Sequence, residues 1–155
     1  MKNQVKLSAI VLLLLAGCTA SYAAPKRPWR VEVKTDGGFA GRGIGTYALD
    51  SDAKVTAELM SGKACSFVLT ADELERFEFV LAKAHADRWK ESYVTENTCC
   101  DRILYDLTYD EAGKVRTTRW IDAPLPMPAD LVALTNAVVS GEATSIRMMA
   151  TERCK

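Results

Sequence analysis

From Arg30 to Thr35 apolar and polar residues alternate, with Val31 and Val33 on one face and Arg30, Glu32 and Lys34 on the other. This period of two marks a half-buried strand, and Asp36-Gly37-Gly38 breaks it. Residues 44–49 resume as a strand with Tyr47 and Leu49 on one side, residues 54–59 form another, and Ser61-Gly62-Lys63 turns the chain into residues 64–69. Four such segments in succession predict an antiparallel meander. Thr70 and Glu73 then stand three apart as a capping box. Leu74, Phe77, Leu81 and Ala84 follow at helical spacing, and the helix is predicted to end between His85 and Arg88. Residues 89–98 have no clear period and read as a loop.

The second half repeats the logic. Ile103, Tyr105, Leu107 and Tyr109 share one face of a strand over residues 103–110, Glu111-Ala112-Gly113-Lys114 turns, and residues 115–121 pair back as a hairpin. Three prolines exclude regular structure from residues 123–128. Pro128 suits the first turn of a helix that buries Leu131, Leu134 and Val138 and is closed by Gly141. The tail to Lys155 has room for a further short helix that Cys154 would pin. The sum is an α+β domain: an antiparallel β-sheet, meander plus hairpin, packed with two main α-helices.

The first residues read differently. Lys2 and Lys6 precede an apolar run from Leu7 to Ala16. A spanning helix needs about 20 residues, so the run fits the core of a secretory signal. Leu15-Ala16-Gly17-Cys18 follows at once and looks like a bacterial lipobox: small residues for a narrow peptidase cleft, then a thiol to carry lipid. Several acyl chains at Cys18 would anchor the protein stably, where one would not. Ser21-Tyr22-Ala23 also meets a small-x-small cleavage rule and would give plain secretion instead. The expected organisation is a signal peptide over residues 1–17, a lipidated Cys18 with a tether to residue 28, and one domain from 29 to 155. Thr19 is not the Asp that commonly retains lipoproteins in an inner membrane. This favours the outer membrane where a cell has two, with the domain facing the periplasm.

Export gives meaning to the cysteines. Cys65, Cys99, Cys100 and Cys154 remain after Cys18, and an even number in an oxidising compartment reads as two disulfides. A bond between the neighbours Cys99 and Cys100 would need a strained eight-membered ring. The expectation is that Cys65 and Cys154 each bond one of that pair. Neither CxxC spacing nor a nearby histidine supports a metal there.

Composition narrows the chemistry. The chain has 155 residues, 20 basic and 20 acidic side chains and one histidine. Losing residues 1–17 removes Lys2 and Lys6 and no acid, a slight negative balance that offers nothing to nucleic acid. His85 lies at a helix end among charges. Asp101, Asp106, Asp110 and Asp122 form no calcium-loop pattern, and alternation puts Asp106 and Asp110 on the solvent face. Trp29, Trp89 and Trp120 read as core or core-edge residues. No G-x-S-x-G turn is present. The residues point to no enzyme, cofactor or metal.

The most unusual stretch runs from Asp36 to Gly45, with five glycines in nine residues. A phosphate cradle would need a helix directly after it, but a strand is predicted. The glycines then serve either a hairpin that tucks Phe39 into the domain's own core or an exposed loop that offers Phe39 to a partner.

Val31-Glu32-Val33-Lys34 followed by Gly37-Gly38-Phe39-Ala40 resembles the opening of emfourin-type proteins. The capped helix at Leu69-Thr70, the Asp101-Arg102-x-x-Tyr105-x-Leu107 stretch, the hairpin and the Pro-initiated helix are similar in order. The likeness covers roughly residues 30 to 140. It implies an α+β, non-enzymatic, competitive inhibitor of a thermolysin- or protealysin-type zinc metalloprotease, with Gly37, Gly38, Phe39 and Ala40 at the partner. Phe39 would fill the pocket such proteases keep for a bulky apolar side chain, worth roughly 1.5–3 kcal/mol. The lipobox, the cysteines and the extra glycines after Ala40 depart from that family. The alternative expectation is a structural or assembly lipoprotein that binds another envelope component through its tryptophans or a sheet edge.

Overall fold

A computed structural model describes residues 27–38, 41, 43–94 and 101–155. Seven strands and three helices follow in the order β1 (Trp29–Gly37), β2 (Gly45–Asp50), β3 (Lys54–Leu59), β4 (Ala64–Val68), α1 (Ala71–Leu81), β5 (Ser92–Tyr93), β6 (Ile103–Glu111), β7 (Lys114–Ile121), α2 (Ala129–Val139) and α3 (Ile146–Arg153). One sheet orders them β4-β3-β2-β1-β6-β7-β5. The α+β class is therefore as the pattern predicts. The first strand in sequence lies at the centre, paired antiparallel with β2 on one side and β6 on the other.

Side chains alternate across the pleat, so register decides what is buried. Cys65, Ala57, Tyr47, Val33, Leu107 and Thr118 lie opposite one another in a row across six strands. This row belongs to the face that the helices cover, and α2 and α3 pack on β1 to β4. Leu131, Leu134 and Val138 of α2 are buried against it, as their spacing predicts. Trp29 stacks on Phe77 of α1, Trp120 stacks on Tyr105, and all three tryptophans are buried. The opposite face carries the polar row Ser66, Thr56, Glu32, Thr108 and Thr117, with Ala48 between Thr56 and Glu32.

Helix α1 begins on the predicted box. The Thr70 hydroxyl accepts the Glu73 N–H, and the Glu73 carboxylate accepts the Thr70 N–H. This backbone hydrogen bond from Thr70, helped by Arg153, holds Glu73 below the usual carboxylate range despite some burial. The helix stops at Leu81 rather than near residue 85, because the last N–H groups fall back to tighter bonds, Lys83 to Val80 and Ala84 to Leu81. A single 3₁₀ turn (Ala86–Arg88) then lowers Trp89 into the core. Asp130, at the start of α2, receives both the His85 N–H at 2.8 Å and the Trp89 indole N–H at 3.1 Å. Gly141 does not close α2. The helix ends at Val139 and Ser140 caps it through its N–H to Asn136.

Two further expectations are corrected. The aperiodic segment after Trp89 contains β5, which pairs parallel with Arg119 and Trp120 of β7. A two-residue strand has no period to read. The disulfide is Cys65–Cys154, with Cα atoms 6.0 Å apart, not Cys65 and Cys154 each joined to Cys99 or Cys100. Cys65 faces the helix layer, and α3 runs over β3 and β4 so that Cys154, the residue capping its C-terminal end, meets it. Arg153 assists by donating to Glu73 and lying over the Phe67 ring. Cys99, Cys100 and Cys18 lie outside the described residues, as does everything before Arg27. No described helix is long and apolar enough to cross a membrane.

Candidate functional site

The glycine-rich stretch joins β1 to β2, and its base is built by one side chain that the pattern did not single out. Thr35 faces the buried side of β1. Its hydroxyl accepts the Ile44 N–H at 2.7 Å and the Gly45 N–H at 2.9 Å, and donates to the Gly45 carbonyl at 2.7 Å. One oxygen thus ties the end of β1 to the start of β2. The Tyr47 hydroxyl adds a bond to the Ile44 carbonyl at 2.7 Å. Burial raises the Tyr47 pKa, with Arg147 opposing, so it stays a neutral donor.

Gly37, Gly38, Gly41, Gly43 and Gly45 all have positive φ. At three of them space as well as φ excludes a side chain: a Cβ on Gly37 would sit 2.6 Å from the Arg102 carbonyl oxygen. A Cβ on Gly43 would sit 2.5 Å from the Thr35 carbonyl carbon, and one on Gly45 would overlap the Glu58 carbonyl oxygen. Gly37, Gly43 and Gly45 therefore lie close against the neighbouring strands, and the Gly43 N–H donates to the Gly37 carbonyl and the Gly41 N–H to the Gly38 carbonyl.

Of the expected partner-binding residues, Gly37 and Gly38 stand at the end of β1, while Phe39 and Ala40 lie outside the described residues. The Gly38 N–H donates to the Arg102 carbonyl at 2.8 Å. This brings the Gly37-Gly38 pair and the Asp101-Arg102 pair, far apart in sequence, to one end of the sheet. Tyr105 and Leu107 do not join them. Tyr105 stacks on Trp120 and Leu107 is fully buried, so packing occupies both. Asp122 holds the Arg102 side through its carbonyl to the Arg102 guanidinium at 2.6 Å and its carboxylate to the Ile103 N–H at 3.0 Å. A groove of about 490 Å³ runs beside the loop, lined by Lys34, Asp36, Thr46, Glu58, Met60 and Gly62.

The other candidates are spoken for by local structure. Asp106 makes a two-pronged pair with Arg119 at 2.6 and 2.9 Å. Asp110 accepts the Gly113 N–H of the hairpin turn. Asp101 is exposed in a left-handed conformation, and His85 is exposed. Among the described residues no group of three or more potential metal ligands is gathered. What the glycine segment has is a fixed base: the buried Thr35 hydroxyl, backbone bonds and close strand contact hold its described residues in place. No protein-family model matches the chain, and no curated protein matches it.

Proposed function

We propose that this chain is a lipid-anchored protein of the bacterial envelope. Its domain binds a protein partner through the β1–β2 glycine loop, in the manner of the emfourin-type inhibitors of thermolysin- and protealysin-like zinc metalloproteases. The observation that carries the reading is the Thr35 hub with its closely packed glycines. A loop held this firmly at its base is suited to entering a cleft backbone first. The juxtaposition of Gly38 with Arg102 adds support, since both pairs belong to the stretches that carry the resemblance. The competing reading is an assembly lipoprotein that binds through its tryptophans or a sheet edge; burial of all three tryptophans favours the edge as its surface.

The test is capture from envelope and secreted fractions on the immobilised full chain, followed by inhibition titration of any zinc protease recovered. Phe39→Ala should weaken binding at least tenfold and shift stability by under about 0.5 kcal/mol, as at ordinary surface sites. A stability loss of about 3–5 kcal/mol with unchanged binding would remove Phe39 from the interface. Cys18→Ala should abolish acyl labelling and release the protein from the membrane fraction. Retention of both would refute the anchor.

A further inference from the structure

Among the described residues a different part of the sheet is unfinished. Strand β7 runs for eight residues, but its outer neighbour β5 covers only Arg119 and Trp120. The Arg119 N–H donates outward to the Glu91 carbonyl at 2.9 Å. In an antiparallel ladder alternate residues direct both backbone groups to the same side, and the β6–β7 register is unbroken. The N–H and C=O groups of Thr117 and Val115 therefore point outward too, along an edge where Lys114 to Thr117 are all exposed. A groove of about 590 Å³ lies alongside, with Ala86 and Trp89 among its lining. Val115 stands 59% exposed at its rim.

Charge selects the occupant. Lys114 and Arg116 make no ion pair among the described residues, whereas Arg119 is neutralised by Asp106. A second copy pairing antiparallel through Val115 and Thr117 would set Arg116 directly against its own equivalent, the device by which edges resist self-association. A strand with an acidic side chain at that position would meet Arg116 favourably. The acid belongs at the Lys114 end, because Glu91 lines the other end of the groove.

We infer that the free edge of β7 from Lys114 to Thr117 accepts an extended, acidic segment of a partner polypeptide, which completes the seventh strand by β-addition. This surface is separate from the glycine loop and stands or falls independently of it. The probe is an acetylated octapeptide of alternating threonine and glutamate, titrated by fluorescence polarisation against the full chain, with its threonine–lysine counterpart beside it. The glutamate peptide should bind at least tenfold more tightly, and Arg116→Glu should reverse that order. Thr117→Pro removes one outward N–H without touching the β6 ladder and should weaken binding at least tenfold. Should that variant fail to fold, N-methylation of the peptide serves instead. Methyl groups on one alternate set of amides should abolish binding, and on the other set should leave it unchanged. Absence of binding at millimolar peptide, equal binding of the two peptides, or equal effects of the two methylation patterns would each overturn the inference. So would self-association of the chain that Arg116→Glu alters.

Discussion

Replacing Thr35 by valine keeps the shape of the side chain and deletes its hydroxyl. Three backbone groups then lose their partner: the N–H groups of Ile44 and Gly45 and the carbonyl of Gly45. A buried polar group left unpaired costs about 1–3 kcal/mol. Ile44 is only half-buried, so water can reach its N–H, and the two groups of Gly45 dominate. The expected loss is about 2–4 kcal/mol. With a urea slope of about 2 kcal/mol/M, the middle of the usual range, the midpoint should fall by about 1–2 M with the slope unchanged. Thr35→Ser retains the three bonds and loses one methyl group, so it should cost about 1 kcal/mol. The assay is a pair of urea melts followed by fluorescence of the buried tryptophans. A valine variant within 0.5 kcal/mol of the parent, or a serine variant less stable than the valine one, would show that the hydroxyl does not hold the loop.

Three further outcomes are expected. Peptide mapping without reduction should recover Cys65 joined to Cys154, and a double alanine variant should lose about 2–5 kcal/mol, since the bridge closes a loop of 89 residues; free thiols at both positions would refute it. At Asp130, burial disfavours the charge, but hydrogen bonds from His85, Trp89 and Leu131 outweigh it and hold the carboxyl below its ordinary range. Its folded pKa is depressed, so its contribution is full above the unfolded value of about 3.9 and is lost as pH falls through the folded one; the stability gap between parent and Asp130→Asn should narrow in that window, and a gap independent of pH would exclude the charge. Gly45→Ala should be destabilising by more than about 2 kcal/mol, because both φ and the Glu58 carbonyl oppose a side chain; a urea midpoint equal to the parent's would mean the strand ends yield.

Period-two alternation located β1, β2 and β6 because each has one face in the core and the other turned outward, and the turns at Ser61-Gly62-Lys63 and Glu111-Ala112-Gly113-Lys114 located β4 and β7 because turn chemistry is local. The Thr70–Glu73 box located α1 because the capping bonds are local. What escaped depends on partners remote in sequence. Ser92 and Tyr93 become a strand only because β7 lies beside them. Thr35 looks like the last polar residue of an alternating strand, and only the return of β2 makes its hydroxyl a hub. The Cys65–Cys154 bond follows from the path of α3 over β4, which no spacing rule contains. At the candidate site the glycines were legible as a turn, but their approach to Arg102 and Glu58 needs the whole sheet to be assembled.

The central place of β1 has a mechanical meaning. Its nine residues span about 30 Å, with the chain entering at Arg27 and the glycine loop leaving at the far end. Five residue pairs bind the strand to β2 and nine bind it to β6. Because the loop follows β1 directly, a pull on the chain before Trp29 resisted at the loop would run through the covalent backbone of that one strand. The hydrogen bonds to β2 and β6 would carry little of the load, and the rest of the domain would hang beside the taut strand rather than lie in the path of the force.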